Sequence, residues 1–378
     1  MTFSLFRGGD RIVAEFATLQ DIVLAAKRKL SPTNWDYLTG GSDSETTLKR
    51  NRAALDSIAF RPRVFRDVSQ ADASREYLGQ KFSIPVFMAP IGSLTLLDPG
   101  GALSVAKAAA KSEVMSMVST VSMPGIEATA EGSDGYLVFQ LYVRGDMDWV
   151  DGIMDRVKAA GYKAVTITVD TASYSRRERD LVNRLVKREP GKWAALGGID
   201  PLRERRHQAK LTWDLIARIK DRTRLPVIVK GIATPEDAKL ALEHGADVIY
   251  VSNHGGRQLD HGLGSIQVLP EIVEAVGGKA EVFVDGGFVR GSDVLKAIAL
   301  GATAVGIAKL QGWALAAGGE AGLARAIELI HEEIRVCMML LGITSLDELD
   351  GSYLHPTQPV TPPHPLSAFP LFMEKHKW

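Results

Sequence analysis

The stretch Val251-Ser252-Asn253-His254-Gly255-Gly256-Arg257-Gln258-Leu259-Asp260 sets an imidazole and a guanidinium three residues apart in a glycine-opened turn. A histidine near its ordinary pKa takes a proton at neutral pH, and an arginine grips a carboxylate through two parallel hydrogen bonds. One turn therefore offers a base and an anion clamp. That pairing suits removal of hydrogen from the carbon beside a carboxylate. Taken singly, the two residues read as a loop histidine and a surface arginine. The remainder of the chain supplies the partners that the chemistry requires.

The turn directly follows the strand-like run Ala246–Val251, one of eight short apolar, β-rich runs. The others are Ile84–Ala89, Val114–Val118, Tyr136–Leu141, Ala164–Val169, Pro226–Lys230, Glu281–Val284 and Ala304–Ile307, with Val248–Val251 as the sixth in order. Segments with helical apolar spacing alternate with them: Gly101–Lys111, Met147–Ala160, Trp213–Asp221, Pro235–His244, Gln267–Val276, Gly291–Leu300 and Gly319–Leu341. Thr234-Pro235 places a proline in a helical first turn, and Ser292-Asp293 offers a capping side chain. Strands that each lead into a helix predict an α/β protein, a closed (β/α)8 TIM barrel. No GxGxxG follows the first strand, which disfavours an open dinucleotide-binding sheet. The expected layout is a single domain over 1–378, with a helical cap at 1–83 on one barrel end, the barrel at 84–345 and a tail at 346–378. Leu19–Leu30 and Pro32–Gly40 read as cap helices. Arg176–Lys210 reads as a mobile active-site loop, and the proline-rich His355–Pro370 as an extended tail against a neighbouring subunit.

Composition narrows the function. The 378 residues are 46% hydrophobic and carry 45 acidic and 45 basic side chains, so nothing favours capture of nucleic acid. The lone Cys337 excludes an intramolecular disulfide and a multi-cysteine metal site, and no metal is expected. No apolar run reaches eighteen residues, and Met1–Gly8 lacks a secretory apolar region, so a cytoplasmic protein with no membrane partner is expected.

Active sites of such barrels sit at the C-terminal ends of the strands. Polar residues gather there: Ser119, Gln140 and Tyr142, Thr168 and Asp170, Lys230, Ser252 and His254, Asp285 with Gly286-Gly287, and Lys309. The chain resembles the FMN-dependent α-hydroxy acid oxidase/dehydrogenase family, which includes glycolate oxidase, lactate oxidase and mandelate dehydrogenase. The matching pieces are Phe139-Gln140-Leu141-Tyr142, Thr168-Val169-Asp170-Thr171, Arg176-Arg177-Glu178, Val229-Lys230-Gly231, Ser252–Asp260 and Asp285-Gly286-Gly287. The resemblance implies FMN as cofactor and oxidation of an L-2-hydroxy acid to the 2-oxo acid, with oxygen or another acceptor taking the electrons. It implies a catalytic set of His254 as base, Asp170 supporting the imidazolium, Tyr142 on the substrate hydroxyl, and Arg257. Arg177 and Arg257 would hold the carboxylate with Tyr37 assisting. It also implies that Ala89, Pro90, Ile91, Gly92, Ser119, Gln140, Thr168, Lys230 and Ser252 surround the isoalloxazine. Asp285, Gly286, Gly287, Arg290, Ala308 and Lys309 would hold the remainder of the cofactor. A homo-oligomer, commonly a tetramer, is the family habit.

The chain departs from the family pattern at two places. The family reads Asp-Gly-Gly-x-Arg-Arg-Gly after the seventh strand and Gly-Arg after the eighth, and those arginines grip the phosphate. Here Val289 replaces the first arginine, and Ala308-Lys309 replaces Gly-Arg. Lysine keeps the charge and loses the planar grip, so weaker FMN binding is expected. At the substrate end Gly92, Val121 and Tyr174 stand where small-substrate members carry alanine, tryptophan and leucine. A pocket for a substrate larger than lactate is expected, with room for an aromatic side chain and Tyr174 available for stacking. Two other readings compete. A nucleotide dehydrogenase needs a loop cysteine, which Cys337 does not provide. An FMN-binding barrel redirected to other biosynthetic redox chemistry, or to a binding role, fits the altered phosphate positions but not the intact His254–Arg257 turn.

Overall fold

The computed structural model describes residues 16–184 and 206–375. Eight parallel strands close into a barrel in strict chain order, the eighth pairing with the first through Val305↔Val86 and Ile307↔Met88. They are Val86–Met88, Met115–Ser119, Leu137–Leu141, Ala164–Thr168, Val227–Ile232, Val248–Val251, Glu281–Val284 and Ala304–Ile307. Nearly every strand residue is buried, because one face meets the barrel interior and the other meets the helices. Alternation divides them: Phe87, Met115, Met117, Tyr250 and Phe283 fill the interior, whereas Val86, Met88, Val118 and Val284 join the strand–helix layer.

The expected cap proves to be two devices at opposite ends. A hairpin of Arg75–Tyr77 and Gln80–Phe82 plugs the N-terminal end. Tyr77 stacks on Phe82 at 4.2 Å and meets Phe283 edge-on at 5.5 Å. Its hydroxyl donates to Val86 O at 3.2 Å, so the buried polar tip is satisfied. The C-terminal end is covered by helices Pro32–Thr39 and Thr46–Asp56. Ser31 caps the first and Pro32 occupies its opening turn. The second was not foreseen: its sequence is strongly polar and no side chain caps its start. Helix Ile126–Glu131, six residues long, was too short to read.

Boundaries elsewhere agree with the sequence reading. Thr234 caps the helix Pro235–Glu243, and Asp293 accepts from the N–H groups of Val289 and Arg290 to open Gly291–Ala299. The last helix begins earlier than expected, at Lys309, and breaks at Gly318-Gly319 before running on to Leu341. Of the loop Arg176–Lys210, Glu178–Val182 forms a short helix, and 185–205 lie outside the described residues. Both ends of the tail pack on this chain. Leu354–Pro356 pairs antiparallel with Ile58–Phe60, and Leu366, Phe369 and Phe372 are buried. Phe369 meets Trp313 edge-on, while Phe372 stacks on Trp35. Among the described residues no helix is long and apolar enough to cross a membrane.

Candidate active site

The C-terminal mouth of the barrel holds a cavity of about 580 Å³. Its wall includes Tyr37 from the cap, Ala89, Pro90, Ile91 and Gly92 after the first strand, and Val121 after the second. Tyr142, Tyr174, Arg177 and Lys230 follow, then His254 and Arg257, then Asp285, Gly286 and Gly287, and finally Ala308 and Lys309. Asp170, Ser119, Gln140, Thr168 and Ser252 lie behind this lining and bond to it or to one another. Arg290 is the exception. Its guanidinium pairs with Glu333 at 2.7 Å and does not line the cavity.

The His254 turn is shaped by the cap. His254, Gly255 and Gly256 run through φ values of 57, 64 and 74°. A Cβ on Gly256 would stand 2.5 Å from Leu48 Cα, so only glycine lets the turn seat on the helix Thr46–Asp56. Asn51 and Asn253 exchange amide hydrogen bonds of 3.0 and 2.8 Å, and Asp260 accepts from the Thr47 N–H at 2.7 Å. A left-handed histidine costs on the order of 1 kcal/mol. Fixed partners offset it: the His254 N–H donates to Ser252 Oγ at 3.1 Å, and Nδ1 lies 3.0 Å from Asp170 Oδ1.

These contacts leave Nε2 on the cavity side, 3.3 Å from the Tyr142 hydroxyl. Burial lowers the His254 pKa; Asp170 opposes that without reversing it, and Lys230 adds to the fall. The imidazole is therefore neutral at neutral pH, the form that accepts a proton. Burial acts to raise Asp170, but His254 and Lys230 outweigh it and hold the carboxyl below its usual range. Burial, then Asp170, pushes the Tyr142 phenol up, so it stays protonated and able to donate.

Two guanidiniums face the same space. Arg177 donates to the Tyr174 hydroxyl at 2.9 Å, and its Nε is buried with no hydrogen-bond partner among the described residues. Arg257 donates to Tyr37 O at 2.6 Å and Gly40 O at 2.9 Å, the carbonyls that end the cap helix Pro32–Thr39. Burial, then Arg177, lowers the Arg257 pKa to about 10, which keeps the side chain charged at neutral pH. Lys309 reaches the same helix end, 3.2 Å from Leu38 O and 3.3 Å from Gly40 O.

The floor is a polar relay. Ser119 donates to Gln140 at 2.6 Å, and Gln140 donates to Thr168 at 2.9 Å. Lys230 donates to Ser252 at 2.9 Å and lies 3.6 Å from Asp285, which also accepts from Ser252 at 2.6 Å and Tyr250 at 2.8 Å.

A model of the FMN-dependent dehydrogenase family matches residues 26–356. The chain belongs to this family. It is 39% identical over 348 residues to the L-lactate oxidase of Nostoc sp., covering 87% of this chain and 95% of that one. It is 37% identical over 371 residues to glycolate oxidase 1 of Zea mays, covering 95% and 99%. It superposes on a soluble mutant of the membrane-associated (S)-mandelate dehydrogenase of Pseudomonas putida with TM-score 0.85 and 34% identity, covering 90% and 99%. The protein is thus an FMN-dependent 2-hydroxy acid oxidase or dehydrogenase.

The residues present suit the cofactor of an FMN-dependent dehydrogenase. The Ser119–Gln140–Thr168 relay matches the polar edge of a flavin, and Lys230 supplies a fixed positive charge beside it. At the phosphate end no hydrogen bond among the described residues occupies the backbone N–H groups of Gly286, Gly287 or Phe288. Gly286 and Gly287 have φ of 114 and 89°, and a Cβ at Gly286 would stand 2.6 Å from Ser265 Oγ. Such a glycine nest cradles anions without arginine. Val289 is buried, in place of the family's first arginine.

Three residues of the cavity wall were not found from sequence. Arg52 pairs with Asp293 through two contacts of 2.8 Å and donates to Gly287 O at 3.2 Å, fixing the glycine turn. Gln208 bridges Thr168 O and the Val143 N–H. Arg144 follows the third strand beside Tyr142, its guanidinium 5.6 Å from the ring centroid. None sits in a motif, and Arg52 and Gln208 act through distant chain segments that spacing does not reveal.

Proposed function

We propose that the chain oxidises an L-2-hydroxy acid larger than lactate to its 2-oxo acid, with His254 as the base. The observation that carries this is His254, backed by Asp170 and turned to a cavity that also holds Tyr142, Arg177 and Arg257. FMN, when bound, supplies the two-electron acceptor. Arg177 and Arg257 grip the substrate carboxylate from two sides, and Tyr37 closes the clamp. Tyr142 donates to the hydroxyl and orients it toward Nε2. His254 takes the proton, and Asp170 then stabilises the imidazolium across the 3.0 Å contact.

The size preference rests on Val121 more than on Gly92. A Cβ built on Gly92 would lie 2.7 Å from Val121 Cγ2, so the valine methyl already fills the space that an alanine would take. What remains open is the volume an indole would occupy at position 121. Tyr174, half-exposed at the mouth, can stack on an aromatic side chain.

Anaerobic addition of acids from lactate to mandelate to the holoprotein tests this. Bleaching of the visible flavin bands is expected, faster with the larger acids, and readmission of air identifies oxygen as acceptor or excludes it. His254→Ala should slow the bleaching by roughly 10²- to 10⁴-fold. An unchanged rate removes His254 as base, and a preference for glycolate removes the enlarged pocket.

A further inference from the structure

We infer that Asn51 is a positioning residue shared by the two ends of the site, so that seating of the cofactor phosphate and placement of His254 are coupled. This rests on the reading that the site oxidises 2-hydroxy acids with His254 as base, and it adds a residue that lies outside every motif.

Asn51 belongs to the cap helix Thr46–Asp56 and is 1% exposed. A carboxamide buried so fully must find its partners within the protein. They come from two directions. Toward the base, Asn51 Nδ2 donates to Asn253 Oδ1 at 3.0 Å, and Asn253 Nδ2 donates back to Asn51 Oδ1 at 2.8 Å. Asn253 Oδ1 also accepts from the Gly256 N–H at 3.1 Å. That bond closes the left-handed run His254-Gly255-Gly256, so Asn51 fixes the side chain on which the turn is folded. A left-handed histidine persists only where its surroundings over-determine it.

Toward the cofactor, Asn51 Oδ1 accepts from the Ser265 N–H at 3.0 Å. Ser265 opens the helix Ser265–Val276, and its neighbour Gly264 has no side chain with which to cap it. The glycine turn after the seventh strand packs on the same residue. A Cβ on Gly286 would stand 3.2 Å from Asn51 Oδ1, and one on Gly287 would stand 3.1 Å from Asn51 Cβ. The next helix residue, Arg52, donates to Gly287 O at 3.2 Å. Asn51 thus touches both turns, and its carboxamide cannot shift to suit one without disturbing the other.

Two readouts test this: fluorescence titration of the apoprotein with FMN, and anaerobic flavin reduction by the holoprotein at saturating FMN. Asn253 does not line the cavity, so Asn253→Ala cuts the link from the side remote from the phosphate. It should raise the FMN dissociation constant about tenfold and lower kcat about tenfold, with KM little changed. Asn51→Leu, close in volume and without the three bonds, should produce both losses. In the Asn51→Leu background, Asn253→Ala should leave the dissociation constant nearly unchanged, because the route between the two turns is already gone. A dissociation constant that Asn253→Ala does not move overturns the coupling, as does an equal effect in both backgrounds. A lower thermal midpoint with neither readout moved makes Asn51 a packing residue only. Should Asn51→Leu not fold, the titration of Asn253→Ala decides. No bleaching by any 2-hydroxy acid overturns the underlying reading, and the FMN titrations still decide the coupling.

Discussion

His254 gathers its chemistry from three strands that are far apart in sequence. Asp170 follows the fourth, Lys230 lies in the fifth, and the histidine itself follows the sixth. Burial pulls the imidazole pKa below its ordinary value, and Asp170 is the main group pulling it back up. The acidic limb of kcat/KM should therefore lie below the pH of a free histidine, with activity lost as the pH falls through it. Replacing Asp170 by Asn removes the upward pull, so the limb should move to lower pH while the plateau drops. A pH profile of anaerobic flavin reduction checks this; a limb that stays put or moves up contradicts the coupling. His254, Asp170 and the strand-end polar set were legible from sequence, because barrel topology obliges such residues to converge. Arg52 and Gln208 were not, since each acquires its place only when another segment folds against it.

The elements beside the cofactor phosphate differ from the family pattern in a way that the local geometry clarifies. The glycine turn after the seventh strand has the shape of an anion cradle, and Arg52 pins it through Gly287 O. Lys309, at the start of the last helix, is the cation that lines the cavity after the eighth strand among the described residues. Burial and the neighbouring Arg257 drive its pKa well below the usual lysine range. FMN should consequently leave on prolonged dialysis, and Lys309→Met should raise the dissociation constant about tenfold or more. Fluorescence titration of the apoprotein measures it. An unchanged constant would mean that the backbone amides suffice. The eight strands could be read in advance because each is a compact apolar run. The hairpin Arg75–Phe82 could not, because three-residue strands carry too little alternation, and Thr46–Asp56 hid behind its polarity.

At the scale of the whole molecule, the tail and cap form one aromatic cluster with the last helix. Trp35 stacks on Trp313 at 6.1 Å and on Phe372 at 6.0 Å, and Phe369 meets Trp313 at 5.9 Å. The sequence reading did not foresee this packing, because proline-rich composition does not say where Leu366, Phe369 and Phe372 will bury themselves. Phe369→Ala should cost about 3–5 kcal/mol. Thermal unfolding followed by circular dichroism would register it, and a shift of less than a degree would show that the cluster contributes little. Trp35 shares a helix with Tyr37, and Trp313 shares one with Lys309, so loosened flavin binding should accompany the loss of stability.

The carbonyls of Tyr37, Leu38 and Gly40 take their hydrogen bonds from Arg257 and Lys309, more than two hundred residues further along the chain. During synthesis the cap helix leaves the ribosome early, while its two cationic anchors follow only after the sixth and eighth strands. The contact between Arg257 and the cap helix is therefore among the last features to be assembled. A nascent chain halted before Lys309 holds most of its barrel sequence and still lacks part of the hydrogen bonding that ends the cap helix.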